Sequence, residues 1–238
     1  MALQTSTASN PITIAAYSVV RADLNTPTTA TAVGSAGFAP GPVAPQEIVS
    51  IFGPGIASQD AVASLPLPTV LGGVSVQITD SAGNTQPAQL FVVSPGQANI
   101  LIPSGLAAGP ASLAVLHGSF AALTGSLTIA ATAPGLFSAN ADGAGVAAAN
   151  AFTISASNQT IPQSVFTCNP PAARSCLGVK LSPGAATDTL YVSLFGTGIR
   201  GASSVSCFVA GQSVPCFIQE PRRSMPASTR SISQSLSL

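Results

Sequence analysis

Residues 74–102 read VSVQITDSAGNTQPAQLFVVSPGQANILI, and the fold class is decided there. Val74, Val76 and Ile78 alternate with Ser75, Gln77 and Thr79, the period-two pattern of a strand with one face on a core. Asp80-Ser81-Ala82-Gly83-Asn84 follows at once and supplies turn chemistry. Two further short apolar runs, 89–93 and 98–102, flank Ser94-Pro95-Gly96. Strands this short, punctuated this often, mark an all-β sandwich or barrel.

The rhythm continues outward. Residues 47–52 (EIVSIF), 112–116 and 125–130 complete a set of about six strands, enough for a sandwich of roughly 90–100 residues. A second unit begins near Ala133-Pro134-Gly135, with strands expected at 136–139, 145–154, 189–195 and 204–210. An irregular stretch is expected over 155–188. Upstream, 12–20 reads as one strand and 25–35 as a Thr/Ala/Ser-rich linker. The expected fold is all-β: two tandem immunoglobulin-like β-sandwich units. Residues 1–37 are read as an N-terminal segment or linker, 38–133 as the first unit and 134–238 as the second.

Composition narrows the function. The chain has 238 residues, seven Lys+Arg against seven Asp+Glu, and 6% charged residues, where about 25% is usual. A net charge of zero argues against a nucleic-acid surface. No apolar run approaches the ~20 residues of a membrane helix. The 22 glycines and 20 prolines break long helices.

An internal repeat stands out. Residues 49–58 read VSIFGPGIAS and residues 192–201 read VSLFGTGIRG. In each, a buried strand is expected to end in phenylalanine, after which two glycines let the chain turn. Phe52, Gly53 and Gly55, with Phe195, Gly196 and Gly198, are therefore structural turn motifs. A phosphate-cradling loop is disfavoured, because no lysine and no helix pattern follows.

The runs GFAPGPVAPQEIVSIFGPGIA, LPLPTVLGGVSVQITDSAGNTQPAQLFVVSPGQANILIP, APGLFSANADGAGVAAAN and LYVSLFGTGIRGASSV together resemble a C-terminal domain family of exported proteins of soil Acidobacteria, the Solibacter type. The resemblance covers about residues 36–216. It implies secretion as part of a longer protein and brings no catalytic residues. The strand-then-FGxG opening also resembles the IPT/TIG immunoglobulin-like fold. The N-terminus carries no basic segment before its apolar stretch, so the expectation is a piece of a longer exported chain or a misassigned start.

The resemblance stops after Cys216. Residues 217–238 read FIQEPRRSMPASTRSISQSLSL, with three of the six arginines and no alternating pattern. Read one base out of frame with permitted synonymous codons, Ser224 through Leu236 can encode YAGLDQINISVP, the counterpart of QANILIP at 97–103. A frame change near Cys216 is the expectation, leaving the second sandwich without its last strands.

Cys168 and Cys176 bracket the loop 169–175, and Cys207 and Cys216 flank FVAGQSVP. A local disulfide is expected for the first pair. A cross-strand disulfide is open for the second, because a two-residue turn at Gly211-Gln212 would set the two cysteines opposite each other. Pro215 weighs against it, and two small buried thiols are the alternative. No metal site is expected, since the only histidine is His117, itself read as an exposed turn residue. The acids Asp23, Glu47, Asp60, Asp80, Asp142, Asp188 and Glu220 are isolated in sequence. Asp80–Asn84 and Asn140–Gly143 faintly resemble calcium loops but read as ordinary turns. Asn158-Gln159-Thr160 is a glycosylation sequon by pattern.

No catalytic residue and no cofactor is expected. The leading expectation is a non-enzymatic exported structural or interaction module, at the cell surface or secreted, with a protein or cell-envelope partner. The alternatives are a carbohydrate-binding accessory module of a secreted hydrolase and a nonfunctional truncated product. Against the carbohydrate reading stands the absence of Trp and the presence of only Tyr17 and Tyr191.

Overall fold

The computed structural model describes residues 28–169, 175–219 and 230–237, of which 219 and 230–237 by backbone alone. Every regular element among them is a strand. The first part runs β1 (Thr28–Thr29), β2 (Thr31–Gly34), β3 (Ile48–Phe52), β4 (Ala61–Val62), β5 (Val70–Leu71), β6 (Val74–Thr79), β7 (Thr85–Pro87), β8 (Gln89–Val93), β9 (Gln97–Leu101), β10 (Gly109–His117) and β11 (Phe120–Ile129). One sheet has the order β1-β11-β10-β6-β5, with β7 on β6; the other has the order β2-β3-β9-β8-β4.

The two sheets close on one core. Val74, Val76, Ile78, Leu113, Val115 and Leu123 come from the first, and Val49, Ile51, Leu90, Val93 and Ile100 from the second. The alternation at 74–79 puts Val74, Val76 and Ile78 inside while Gln77 faces solvent. Each fully buried aliphatic side chain contributes about 1.5–3 kcal/mol relative to an exposed one. Asp80 then turns the chain: its Oδ1 accepts from Ala82 and Asn84 N–H at 2.9 Å each, and its Oδ2 accepts from Ala107 N–H at 2.9 Å.

The stretch expected to be a linker does more. Its threonines form β1, parallel to β11, and then β2, antiparallel to β3. Ala30, between them, is buried, so this segment laces the two sheets together. Its residues are too small to print an apolar alternation, and backbone pairing decides the outcome.

The second part runs β12 (Gly135–Leu136), β13 (Ala149–Ile154), β14 (Thr160–Gln163), β15 (Phe166–Cys168), β16 (Cys176–Gly178), β17 (Thr189–Thr197), β18 (Cys207–Val209), β19 (Gln212–Val214), β20 (Cys216–Gln219) and β21 (Arg230–Ser237). Its main sheet has the order β14-β13-β17-β21-β20, with β12 on β17; β15-β16 and β18-β19 are separate hairpins. Its buried core is small: Ala149, Ala151, Leu190 and Val192, with Val165, Leu181 and Leu194 packed against it.

Several expectations change here. The stretch 155–188, expected to be irregular, contains β14, β15 and β16. The expected strand at 204–210 shortens to Cys207–Val209. The tail, expected to leave the sheet short, supplies β21, which pairs with β17 from Thr189↔Ser237 to Gly196↔Arg230. A pattern was present and lay in the serines at 231, 233, 235 and 237, not in apolar residues. Residues 220–229, the middle of the suspected frame change, lie outside the described residues, as do 12–20.

Both cysteine pairs are bridged: Cys168–Cys176 and Cys207–Cys216. Cys168 and Cys176 sit directly opposite in the β15-β16 hairpin. The second hairpin turns at Ala210-Gly211 and not at Gly211-Gln212, so Cys207 faces Val214 while Cys216 begins the next strand. Ala210 and Gly211 both have positive φ (50° and 81°), the type I′ geometry that suits a two-residue hairpin.

Candidate functional site

An open surface cleft lies where the two parts meet. Ser50 and Phe52 on β3, and Gln97 and Asn99 on β9, alternate with core residues and so face outward from their sheet. Above them lie the loop after β2, with Ser35, Ala36 and Phe38, and the loop after β12, with Phe137, Ser138 and Ala141. The named residues of the two loops, with Ser50, Asn99, Ile48 and Phe91, line this cleft of about 350 Å³. That is within the range of small-ligand sites.

The floor is a directed hydrogen-bond ladder. Ser50 Oγ donates to Asn99 Oδ1 at 3.1 Å, and Gln97 Nε2 donates to the same oxygen at 2.8 Å. With the Ser50 proton committed, Ser35 Oγ donates to Ser50 Oγ at 2.8 Å. The ladder therefore ends in an acceptor, the Ser35 oxygen, and in the Asn99 Nδ2 amino group, which has no partner among the described residues. Three phenylalanines, 38, 91 and 137, stand around these groups, and no lining side chain is charged. Phe38 leans on Phe52 with ring centroids 6.4 Å apart, which extends the aromatic rim.

The roof is held by close approach. A Cβ on Gly143 would lie 2.7 Å from the Gly37 carbonyl, and one on Gly135 would lie 2.8 Å from Ala36 Cβ. Two of the five described non-glycine residues with positive φ, Phe38 (49°) and Ala141 (57°), line the cleft. Strain of this kind persists where the surroundings over-determine it.

Behind the cleft, the joint buries a carboxyl. Glu47 is 3% exposed, and its Oε2 accepts from Ala44 N–H at 2.7 Å. Burial pushes its pKa from the ordinary 4.5 up to about 7, against the lowering effect of that hydrogen bond. Next to it, Ile48 N–H donates to Thr197 Oγ1 at 2.9 Å, and Arg200 Nη1 donates to Gln46 Oε1, so both neighbours of Glu47 are bonded across the joint.

The two FGxG motifs share a backbone feature, although β3 ends at Phe52 while β17 runs on to Thr197. In each, the second glycine has positive φ, 70° at Gly55 and 73° at Gly198. The first glycine in each admits close packing: an added Cβ would lie 2.5 Å from Leu123 Cδ2 at Gly53, and 2.6 Å from the Gly135 oxygen at Gly196. Phe52, the end of the buried strand β3, is 36% exposed and leans on Phe38 beside the cleft. Phe195 is half-buried.

Other sequence candidates are placed as follows. His117 is exposed at the end of β10, and its Nε2 donates to Ile56 O at 2.7 Å. Both Asp80 oxygens face N–H donors, which hold its pKa below the usual carboxylate range, the Ala107 bond foremost. A carboxylate engaged in this way presents nothing free to a cation. Asp142 Oδ1 accepts from Ala144 N–H at 2.9 Å. Asn158 is exposed in the turn between β13 and β14. No three His, Cys, Asp or Glu among the described residues converge on a metal-sized site. The cleft itself was invisible in sequence, since it draws on residues around 35, 50, 99 and 138.

The chain matches no protein-family model and no curated protein sequence.

Proposed function

We propose that this chain is a non-enzymatic module of an exported protein that holds an uncharged partner in the cleft at its joint. The observation that carries this reading is the ladder Ser35–Ser50–Asn99–Gln97, which ends in an unused amino group among phenylalanines. Two disulfides among so few cysteines support an oxidising compartment, and the low charge supports a neutral partner. A ladder wired to itself provides recognition and lacks the poised base that nucleophilic or acid–base chemistry needs.

The test is sedimentation of the labelled chain with isolated cell-envelope material. The chain should co-sediment, and Ser35→Trp, which fills the cleft, should lower the bound fraction about tenfold, a loss of about 1.4 kcal/mol. Equal sedimentation of both proteins, or none of either, would refute the reading.

A further inference from the structure

We propose that the cleft is a saccharide subsite taking roughly one to two uncharged hexose units of a polysaccharide; this rests on the interaction-module reading above and names its partner. The argument begins with the polar ends of the ladder. Asn99 Nδ2 offers two N–H donors, and Ser35 Oγ offers lone pairs, from the same floor. Adjacent hydroxyls of a pyranose both accept and donate from one side, so they answer this pair. The apolar lining answers the other half of a sugar. The rings of Phe38, Phe91 and Phe137 can take its C–H face, and Phe52 beside Phe38 extends the platform along the sheet for a neighbouring unit.

Charge excludes the nearest competitors. Neither an acidic sugar nor a phosphate finds a cation among the lining residues, and Arg200 at the joint donates to Gln46. Glu47 accepts from Ala44 N–H, and Asp142, beside Ala141, accepts from Ala144 N–H, so no lining side chain offers a cationic ligand a counter-charge. An extended peptide would be expected to add to a sheet edge through backbone hydrogen bonds. This floor is a sheet face, with the β3 and β9 backbones already paired to each other. The strained Phe38 and Ala141 fit the same reading, because both hold rim positions that relaxed backbone would withdraw.

The experiment is titration calorimetry and saturation-transfer NMR of the full chain with cellohexaose, laminarihexaose and mannohexaose. At least one should bind. Phe38→Ala and Asn99→Ala should each weaken it about tenfold, and Ser35→Ala by about threefold. Phe120→Ala, on an exposed ring outside the cleft, should leave it unchanged. Ser35→Ala removes one hydroxyl from a loop and keeps the site testable if Asn99→Ala unfolds. No binding of any of the three at about 10 mM, or binding that survives all cleft substitutions, overturns the proposal. So does cleft-dependent binding of polygalacturonate or of peptides instead. Envelope sedimentation that Ser35→Trp blocks, with no oligosaccharide bound, sinks the saccharide and leaves the module reading standing. Loss of both sinks both.

Discussion

Glu47→Gln should abolish a pH dependence that this one carboxyl imposes on stability. In the folded chain the group holds its proton up to about pH 7, while in the unfolded chain it titrates near the ordinary 4.5. Between these values the folded state binds more protons, so stability falls as pH rises through the window. Below it both states are protonated, and above it both are ionised. A gap of about 2.5 pH units corresponds to about 3 kcal/mol. Glu47 is 3% exposed, so solvent screening takes little from that figure. Glutamine keeps an acceptor for Ala44 N–H and never ionises. The readout is urea unfolding followed by circular dichroism, for both proteins, at pH 4.5 and pH 8. The stability difference between them should move by about 3 kcal/mol in favour of the variant as pH rises. Whatever the substituted amide costs in fit, and whatever other carboxylates do, cancels in that double difference. A change under about 1 kcal/mol would refute the reasoning, because the carboxyl would then be as wet folded as unfolded.

Three further outcomes are expected. Gly55→Ala and Gly198→Ala meet the same positive φ, but an added Cβ is in open space at Gly55 and 1.9 Å from the Ala133 oxygen at Gly198. The first should cost about 1–2 kcal/mol and the second well beyond that, and equal costs in denaturant unfolding would show that backbone strain alone matters. Asp80→Asn should lower the thermal midpoint at neutral pH. It should also remove the part of acid unfolding that sets in below the usual carboxylate range, where protonation of the Asp80 group would release the Ala107 N–H; an unchanged acid limb would contradict this. Thiol titration of the denatured, unreduced chain should find no free thiol among its four cysteines.

Much of the first part was legible because large aliphatic residues alternate there. The sequence places the strands at 74–79, 89–93 and 98–102, and the structure returns them as β6, β8 and β9, the last shifted by one residue to Gln97–Leu101. Where the side chains are small, legibility fails. Thr28–Gly34 reads as linker yet becomes two strands, because backbone pairing on β11 and β3 outweighs its weak pattern. The serine-spaced tail fails for the same reason. Hairpin register at 207–216 turned on which residue would accept positive φ, and Ala210 accepted it where the composition favoured a glycine first. Glu47 read as one isolated acid among several; its burial depends on Gly34 and Gly198, whose missing side chains leave room for its carboxyl. The cleft had no local signature, since Ser50 and Asn99 become neighbours only through the pairing of β3 with β9.

The lacing segment also bears on how the chain carries load. β1 lies parallel to β11, and further along the same incoming segment Val43 bridges Ile129 in the same sense. There Val43 N–H donates to Thr128 O and Ala130 N–H donates to Val43 O, each at 2.9 Å. The chain therefore enters and leaves this sandwich along neighbouring, parallel tracks. Tension between residue 28 and residue 130 drags those tracks in opposite directions along their length. The hydrogen bonds, lying across the pull, must fail together in shear instead of peeling one after another. A domain tethered between a cell and a surface would resist extension at this patch first.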